Sequence, residues 1–332
     1  MPSTRNHHTW GFGRRHRRKR GERGCEYRIA AFHFTSFEVR CEDQAKFSGI
    51  SEKQPPELAY PSCCSKVRYL VISVVCPTFN SAGFVIRSLE SAIHQTRPAG
   101  EIIVSDDGST DDSVSVVEKF LNQYPQIPHI ILRNAHRGAG AARNAAIHRS
   151  SFEWIAFLDS DDLWKPQKLE VVFQHIERHP EFNIFCHAEE QVAQQGSRHL
   201  IDYGKWYDPR RPLPVQIYYR SFFSPSAVTC SRKLLLDGGL FDETILSGIE
   251  DFDLWQRIAP FARPYFIRES LGYYFERSGN LSFGGHWNKW KDSIRLAFRY
   301  RHRVTPLGVA YHISKITGFH TLHGLRHRFL SK

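Results

Sequence analysis

The stretch Phe157-Leu158-Asp159-Ser160-Asp161-Asp162 decides the fold of this 332-residue chain. Apolar residues at 154–158 predict a buried strand, and three carboxylates follow at its carboxyl end. Ligands of open α/β sheets bind at such ends. Crowded carboxylates repel one another unless a cation neutralises them, and Mg²⁺ or Mn²⁺ is commonly held by one or two carboxylates together with substrate phosphates. An acidic turn that caps a helix near Lys165 explains the same residues without any ligand.

The segments around this stretch alternate between strand-like and helix-like patterns. Residues 69–76 form an almost continuous apolar run, as expected for a strand buried on both faces. Further strands are predicted at 101–105, 129–132 and 154–158, with amphipathic helices between them. This alternation predicts an α/β fold with a mostly parallel sheet.

The pattern changes after Lys165. Residues 200–225, rich in Tyr, Pro and Arg, are predicted to form a loop, whereas 251–258 has helical spacing. From residue 287 onward, basic and aromatic residues are interleaved, which is typical of a segment that lies on a membrane surface. A packed helix with an exposed basic face explains this composition equally well.

The net charge of +11 is concentrated at the two ends of the chain. Residues 1–68 carry 14 Lys and Arg against seven Asp and Glu, and residues 287–332 carry ten against one. Basic ends suit anionic lipid headgroups or nucleic acid, but the acidic middle does not favour nucleic-acid binding. We predict that the leader is mostly disordered. Because Met1 is the only methionine, we also expect part of the leader to lie outside the natural protein.

Seven cysteines without any Cys-x-x-Cys spacing argue against structural zinc and favour a reducing compartment. No apolar run reaches 18 residues, and the basic start lacks the apolar core of a secretory signal. We therefore predict a cytoplasmic protein without a membrane-spanning helix.

Three loops, at 77–80, 106–110 and 159–162, follow predicted strands and are expected to meet in one crevice. A carboxylate such as Asp107 can accept a hydrogen bond from the imide N–H of uracil or thymine. Gly138 and Gly140 begin a helix whose amides can bind a phosphate. Turn formation and helix capping explain the same residues without a ligand.

Four segments in this order resemble family 2 of the inverting glycosyltransferases with the GT-A fold. They are Cys76-Pro77-Thr78-Phe79-Asn80, Asp106-Asp107-Gly108-Ser109-Thr110-Asp111, Gly140-Ala141-Ala142-Arg143-Asn144 and Leu158-Asp159-Ser160-Asp161-Asp162. The resemblance covers roughly residues 69–280. It implies a Rossmann-like, mostly parallel nucleotide-binding sheet joined to a smaller acceptor-side α+β region.

The resemblance also implies roles for particular residues. Asp159 and Asp161 match the Asp-x-Asp motif that holds the donor diphosphate through Mn²⁺ or Mg²⁺. Asp251 matches the catalytic base, with Glu250 as the second choice, although an acidic helix start has a structural explanation as well. The residues implied for donor nucleotide binding are Pro77, Thr78, Asp106, Asp107, Gly138, Arg143 and Arg277.

We therefore predict transfer of one sugar from a nucleotide-diphosphate sugar, with UDP favoured, to a glycan or glycolipid in polysaccharide biosynthesis of the cell envelope. The predicted regions are a leader (1–68), a nucleotide-sugar-binding half (69–165), an acceptor-binding half with the base (166–286) and a tail (287–332) that contacts a membrane peripherally. The alternatives are a nucleotidyltransferase, an inactive nucleotide-sugar-binding relative and a nucleic-acid-binding protein.

Overall fold

The part of the chain that carries all four motifs folds around one sheet. A computed structural model of the protein describes residues 71–277 and 286–330. The leader predicted to be disordered lies outside the described residues.

The first half of the sheet is parallel. Its strands, in the spatial order β3-β2-β1-β4, are β1 (Ile72–Thr78), β2 (Glu101–Asp106), β3 (His129–Arg133) and β4 (Trp154–Phe157). They alternate with helices α1 (Val85–Ile93), α2 (Ser113–Leu121) and α3 (Ala139–Arg149). All seven residues of β1 are buried because this strand lies between two others and is covered on both faces. The predicted mostly parallel α/β sheet is confirmed.

The second half continues the same sheet in the order β4-β8-β6-β9-β5, with β7 on β6. Its strands are β5 (Leu163–Trp164), β6 (Ile184–Val192), β7 (Arg198–Ile201), β8 (Val228–Ser231) and β9 (Pro264–Phe275). Its helices are α4 (Lys168–Arg178), α5 (Leu213–Tyr219), α6 (Arg232–Asp237), α7 (Glu250–Ile258), α8 (His286–Arg299) and α9 (Pro306–Leu330). The strand pairing changes from parallel to antiparallel where β8 joins β4, with Ile155 opposite Cys230.

Residues 200–225 are not the continuous loop that their composition predicts. They contain α5 and a 3₁₀ turn at Tyr203–Trp206. The helix forms because Leu213, Ile217 and Tyr218 are buried on one side, so tertiary packing outweighs the turn-forming residues nearby. The short strand β8 also lies just beyond this segment and was not predicted.

Helices cover both faces of the sheet, so the molecule has an α/β/α arrangement. One core joins alternate residues of β1, such as Val74, to α1, α2 and α4, including Leu89 and Val172. The other core joins Val75 to α3, α5, α6 and α7, including Trp255. Each face thus buries the side chains that alternate along the strands.

The region from residue 287 begins as a packed helix. Leu296 and Ala297 of α8 are buried, as is Tyr300 directly after it. The Tyr218 hydroxyl of α5 donates to the Ala297 carbonyl at 3.0 Å. In the two described ranges, no helix combines the length and apolar character required to cross a membrane.

Candidate active site

The carboxyl ends of β1, β2 and β4 bring the three predicted loops, at 77–80, 106–110 and 159–162, to one edge of the sheet. Thr78 ends β1 directly opposite Asp106, the last residue of β2. The Asp107 amide donates to the Thr78 carbonyl at 2.8 Å, and the Leu158 amide donates to the Val75 carbonyl at 2.9 Å. The side chains that follow these strands therefore surround one crevice, as parallel strands require.

Asp106 and Asp107 hold the loops of this crevice together. Asp106 accepts hydrogen bonds from the backbone amides of Gly108 and Ser109 at 3.1 and 2.9 Å. Asp107, only 2% exposed, accepts from the amides of Arg137 and Gly138 at 2.8 and 2.9 Å. Asp106 thus closes its own turn, whereas Asp107 links the end of β2 to the start of α3.

Pro77 and Thr78 are buried within β1, so the next residue presents the accessible surface of this motif. The Phe79 ring is 42% exposed and stacks on the His136 ring, with 4.3 Å between centroids and 17° between planes. His136 also contacts the Asp107 carboxylate at 2.8 Å. Neither ring was singled out from the sequence, although Phe79 stands inside a quoted motif. An exposed aromatic face beside a buried carboxylate suits a planar heterocycle.

Gly138 and Gly140 allow close approaches at the start of α3. Gly138 has φ of +93°, which residues with a side chain rarely adopt, and an added Cβ would lie 2.7 Å from Cδ2 of Leu246. A Cβ on Gly140 would lie 3.2 Å from Cβ of Phe241 and 3.4 Å from Cγ of Glu250. Gly140 therefore lets α3 lie directly against the first residue of α7, and Gly138 lets the turn before α3 lie close to Leu246.

Arg143 of α3 connects two of the predicted site regions. Its guanidinium donates from Nη2 to Asp159 Oδ1 at 2.7 Å and from Nη1 to Glu250 Oε1 at 2.8 Å. Burial opposes the charged form, but Asp159 and Glu250 outweigh it and hold the pKa of Arg143 above its usual range. These two hydrogen bonds fix the predicted metal-binding residue Asp159 relative to Glu250 and Asp251, the two carboxylates among which the catalytic base is predicted.

The carboxylates after β4 carry more negative charge than their protein neighbours balance. Burial, followed by the nearby charge of Asp159, raises the pKa of Asp161 to about 6, although Arg277 and Arg143 act against this. Arg277 lies next to Asp161 and donates to its backbone carbonyl at 2.9 Å. Asp162 is buried deeper, and burial together with Asp161 raises its pKa well above the usual range.

Asp159 and Asp161 fit a divalent cation by donor type, because a cation would relieve this repulsion. Within 71–277 and 286–330, no cluster of three or more His, Cys, Asp or Glu side chains is arranged to hold a metal. A cation at the pair would thus need further ligands from a substrate, which is how Mg²⁺ commonly binds at phosphate sites. The unpredicted Ser226 supports this loop, since its hydroxyl donates to Asp162 at 2.6 Å and accepts from the Asp159 amide at 3.1 Å.

Glu250 and Asp251 form the first turn of α7 and differ in their surroundings. Glu250 is 5% exposed and is bonded to Arg143, whereas Asp251 is half-buried and accepts from the Phe252 amide at 2.7 Å. Burial, and then the charge of Glu250, raises the pKa of Asp251 to about 7, with Arg143 opposing. A carboxylate with a pKa near neutrality can accept a proton from a hydroxyl group and release it again.

Comparisons with known proteins agree with this geometry. The model of the family described as glycosyl transferase family 2 matches residues 73–232. The putative teichuronic acid biosynthesis glycosyltransferase TuaG of Bacillus subtilis is 35% identical over 236 residues, which is 70% of this chain and 87% of TuaG. The chain therefore belongs to glycosyl transferase family 2. It spans only 26% and 34% of the length of the first two curated relatives that it matches.

Solved structures identify the fold as GT-A. Residues 1–349 of Staphylococcus aureus TarS, in complex with UDP-GlcNAc, match with a TM-score of 0.59 and 23% identity over 75% of this chain and 72% of that one. The mannosyltransferase PcManGT of Pyrobaculum calidifontis, in complex with GDP-Man and Mn²⁺, matches with a TM-score of 0.55 and 17% identity over 75% and 69%. The predicted family and the predicted GT-A fold are confirmed.

Proposed function

We propose that the chain transfers one sugar from a nucleotide-diphosphate sugar to a hydroxyl group of a glycan or glycolipid, with inversion at the anomeric carbon. The observation that carries this proposal is the pair of hydrogen bonds from Arg143 to Asp159 and Glu250, at 2.7 and 2.8 Å. A transferase must hold the donor diphosphate and the catalytic base at a fixed separation. Arg143 joins Asp159, which is suited to bind the diphosphate through a metal, to Glu250, the neighbour of the proposed base Asp251.

The donor occupies the crevice at the carboxyl ends of β1, β2 and β4. The nucleobase of the donor lies against Phe79 and beside Asp107, and the phosphates of the donor approach Gly138 and Arg277. We propose UDP as the nucleotide, with support from the UDP-GlcNAc bound to the structurally similar TarS. Mn²⁺ or Mg²⁺ between Asp159, Asp161 and the diphosphate would neutralise the charge of the leaving group.

Asp251 is the proposed base. It takes the proton of the acceptor hydroxyl as that oxygen forms a bond to the anomeric carbon, while the bond from this carbon to the diphosphate oxygen breaks. Glu250 is held by Arg143, so Asp251 is the carboxylate left to accept a proton. A single in-line displacement inverts the anomeric carbon. The acceptor is proposed to be an envelope polysaccharide or its lipid-linked precursor. This choice is supported by the similarity to TuaG, which is described as a putative glycosyltransferase of teichuronic acid biosynthesis.

The first test is thermal stabilisation by UDP-, dTDP- and GDP-sugars, each with and without Mn²⁺, because a ligand that binds only the folded state raises its stability. We expect a metal-dependent shift with a UDP-sugar. Transfer is then assayed with Asp251→Asn, which should bind donor normally but lose about 10²–10⁴-fold in rate. The exposed Asp237→Asn is the matched control. Absence of a shift with every nucleotide would contradict a donor site.

We further propose that α8 and α9 contact an anionic membrane peripherally, since large apolar side chains are exposed among basic ones there. Trp287 is 73% exposed and Leu307 is 81% exposed. Deleting residues after 286 would remove the buried Leu296, so point variants are the better test. Trp287→Ser combined with Leu307→Ser should lower cosedimentation with anionic vesicles, whereas Phe261→Ser, at an exposed site on another helix end, should not. Equal cosedimentation of the unaltered protein and the Trp287→Ser/Leu307→Ser double variant would exclude this contact.

A further inference from the structure

Helix α8 is fastened to the first turn of α7. Leu296 and Tyr300 belong to a buried cluster that also contacts Ile249 and Phe252, the residues on either side of Glu250 and Asp251. Arg299 and Tyr300 each donate a hydrogen bond of 2.8 Å to Asp253 Oδ1. The carboxyl half of α8 is therefore fixed against the helix that carries the proposed base.

Lys289 lies two turns before Leu296 on the same face of α8, because residues seven apart lie nearly above one another on a helix. Its side chain is half-buried, and its ammonium group interacts electrostatically with both Asp251 and Glu250. Burial lowers the pKa of Lys289, and these two carboxylates act in the opposite direction. Helix α8 thus brings a positive charge to the acidic start of α7.

The other charges that act on Asp251 come from three elements. Glu250 precedes it on α7, Asp159 follows β4 and disfavours its ionised form, and Arg143 on α3 favours that form. The guanidinium of Arg143 is already bonded to Asp159 and Glu250. A second cation on the α8 side therefore offsets the repulsion that Asp251 would otherwise meet on ionising.

We infer that Lys289 is a positioning residue of the site. From α8 it faces Asp251 and Glu250, and it favours the proton-accepting form of Asp251. This inference rests on the proposed function. It extends the site from α7 to the next helix along the chain, α8. Lys289 acts through Asp251 and makes no contact of its own with the reacting atoms.

The test compares the pH dependence of kcat/KM in Lys289→Met and Lys289→Arg, with Lys291→Met on the exposed side of α8 as the matched control. In Lys289→Met we expect the acid limb to move to higher pH, since removing a nearby opposite charge raises the pKa of a carboxyl group. The rate should recover toward that of the unaltered protein above pH 9. Lys289→Arg and Lys291→Met should keep the original limb. An unmoved limb, an equal loss at every pH or a higher KM for the donor alone would overturn the inference.

A double-mutant cycle provides a readout that needs no activity. Denaturation midpoints at pH 8 are compared for Lys289→Met, Asp251→Asn and the double variant. If the two side chains interact, the change in the double variant differs from the sum of the single changes, and additive changes would overturn the inference. Non-additive changes in a protein that transfers no sugar would instead count against the proposed function alone.

Discussion

Arg143 of α3 donates a hydrogen bond of 2.8 Å to Glu250 of α7, a residue 107 positions further along the chain. Its second bond, to Asp159, extends the contact to the loop after β4. Three separate segments therefore depend on one buried cation. The consequences for stability and for the site can be tested separately.

Arg143→Met should destabilise the fold and abolish donor binding together. The substitution leaves two carboxylates without their partner, and breaking a buried ion pair in this way costs about 3–5 kcal/mol. Chemical denaturation and donor titration measure the two effects. Arg149→Met, at an exposed position on the same helix, is the control and should change neither. A stable Arg143→Met protein would show that the contact contributes little.

Asp251→Asn should make the protein more stable at high pH. The folded pKa of Asp251, about 7, lies above the value of about 3.9 expected in the unfolded chain. Between these values the folded state binds the proton that the unfolded state releases, so this carboxyl lowers stability as pH rises. Asparagine cannot ionise, and its gain should be on the order of 4 kcal/mol at pH 8 and become small near pH 4. Unfolding measured at both pH values tests this, and a gain independent of pH would contradict it.

Gly138→Ala should weaken donor binding and lower stability by about 1–2 kcal/mol, because alanine is strained at a φ of +93°. The new methyl group would also press on Leu246. Gly83→Ala is the matched control, since an added Cβ there meets no atom within 4 Å. Thermal melts with and without a UDP-sugar distinguish the two effects. Equal behaviour of both variants would argue against a conformational requirement at Gly138.

Ser226→Ala should reduce metal-dependent donor binding by about tenfold, because residues that orient metal-binding carboxylates commonly have effects of this size. It should also destabilise the fold by about 1–3 kcal/mol, since the buried Asp162 loses a hydrogen bond of 2.6 Å. The control is Ser314→Ala, which removes an exposed hydroxyl that donates to the Tyr311 carbonyl. Donor titrations at several Mn²⁺ concentrations provide the measurement. A loss of binding that excess Mn²⁺ does not alter would contradict the proposed support of Asp159.

Local pattern was sufficient to predict the first half of the fold. The run at 69–76 favours a strand over a buried helix, because it is short and half of its residues are valine or isoleucine. The second half depends on packing between distant segments. The seven residues of α5 are helical only because Leu213 and Ile217 are buried against other elements, and short helices gain little from propensity alone.

The same distinction applies to the candidate site. Asp159 and Asp161 are recognisable from their own neighbours in the sequence, since acidic residues at the end of a buried strand require an explanation. The contribution of Ser226 and the approach of Lys289 are determined by which elements meet across the sheet. No local pattern marks these two residues, because serine and lysine occur throughout surface loops and helices.

The antiparallel junction between β4 and β8 determines how the protein can be divided for study. Ile155 pairs with Cys230, so an expression fragment that stops at Lys165 would keep β4 and lose the strand beside it. The bare edge would present unpaired amides and carbonyls next to apolar side chains, which is a template for another chain. Such a fragment should self-associate, and nucleotide binding is therefore better measured on protein that retains β8.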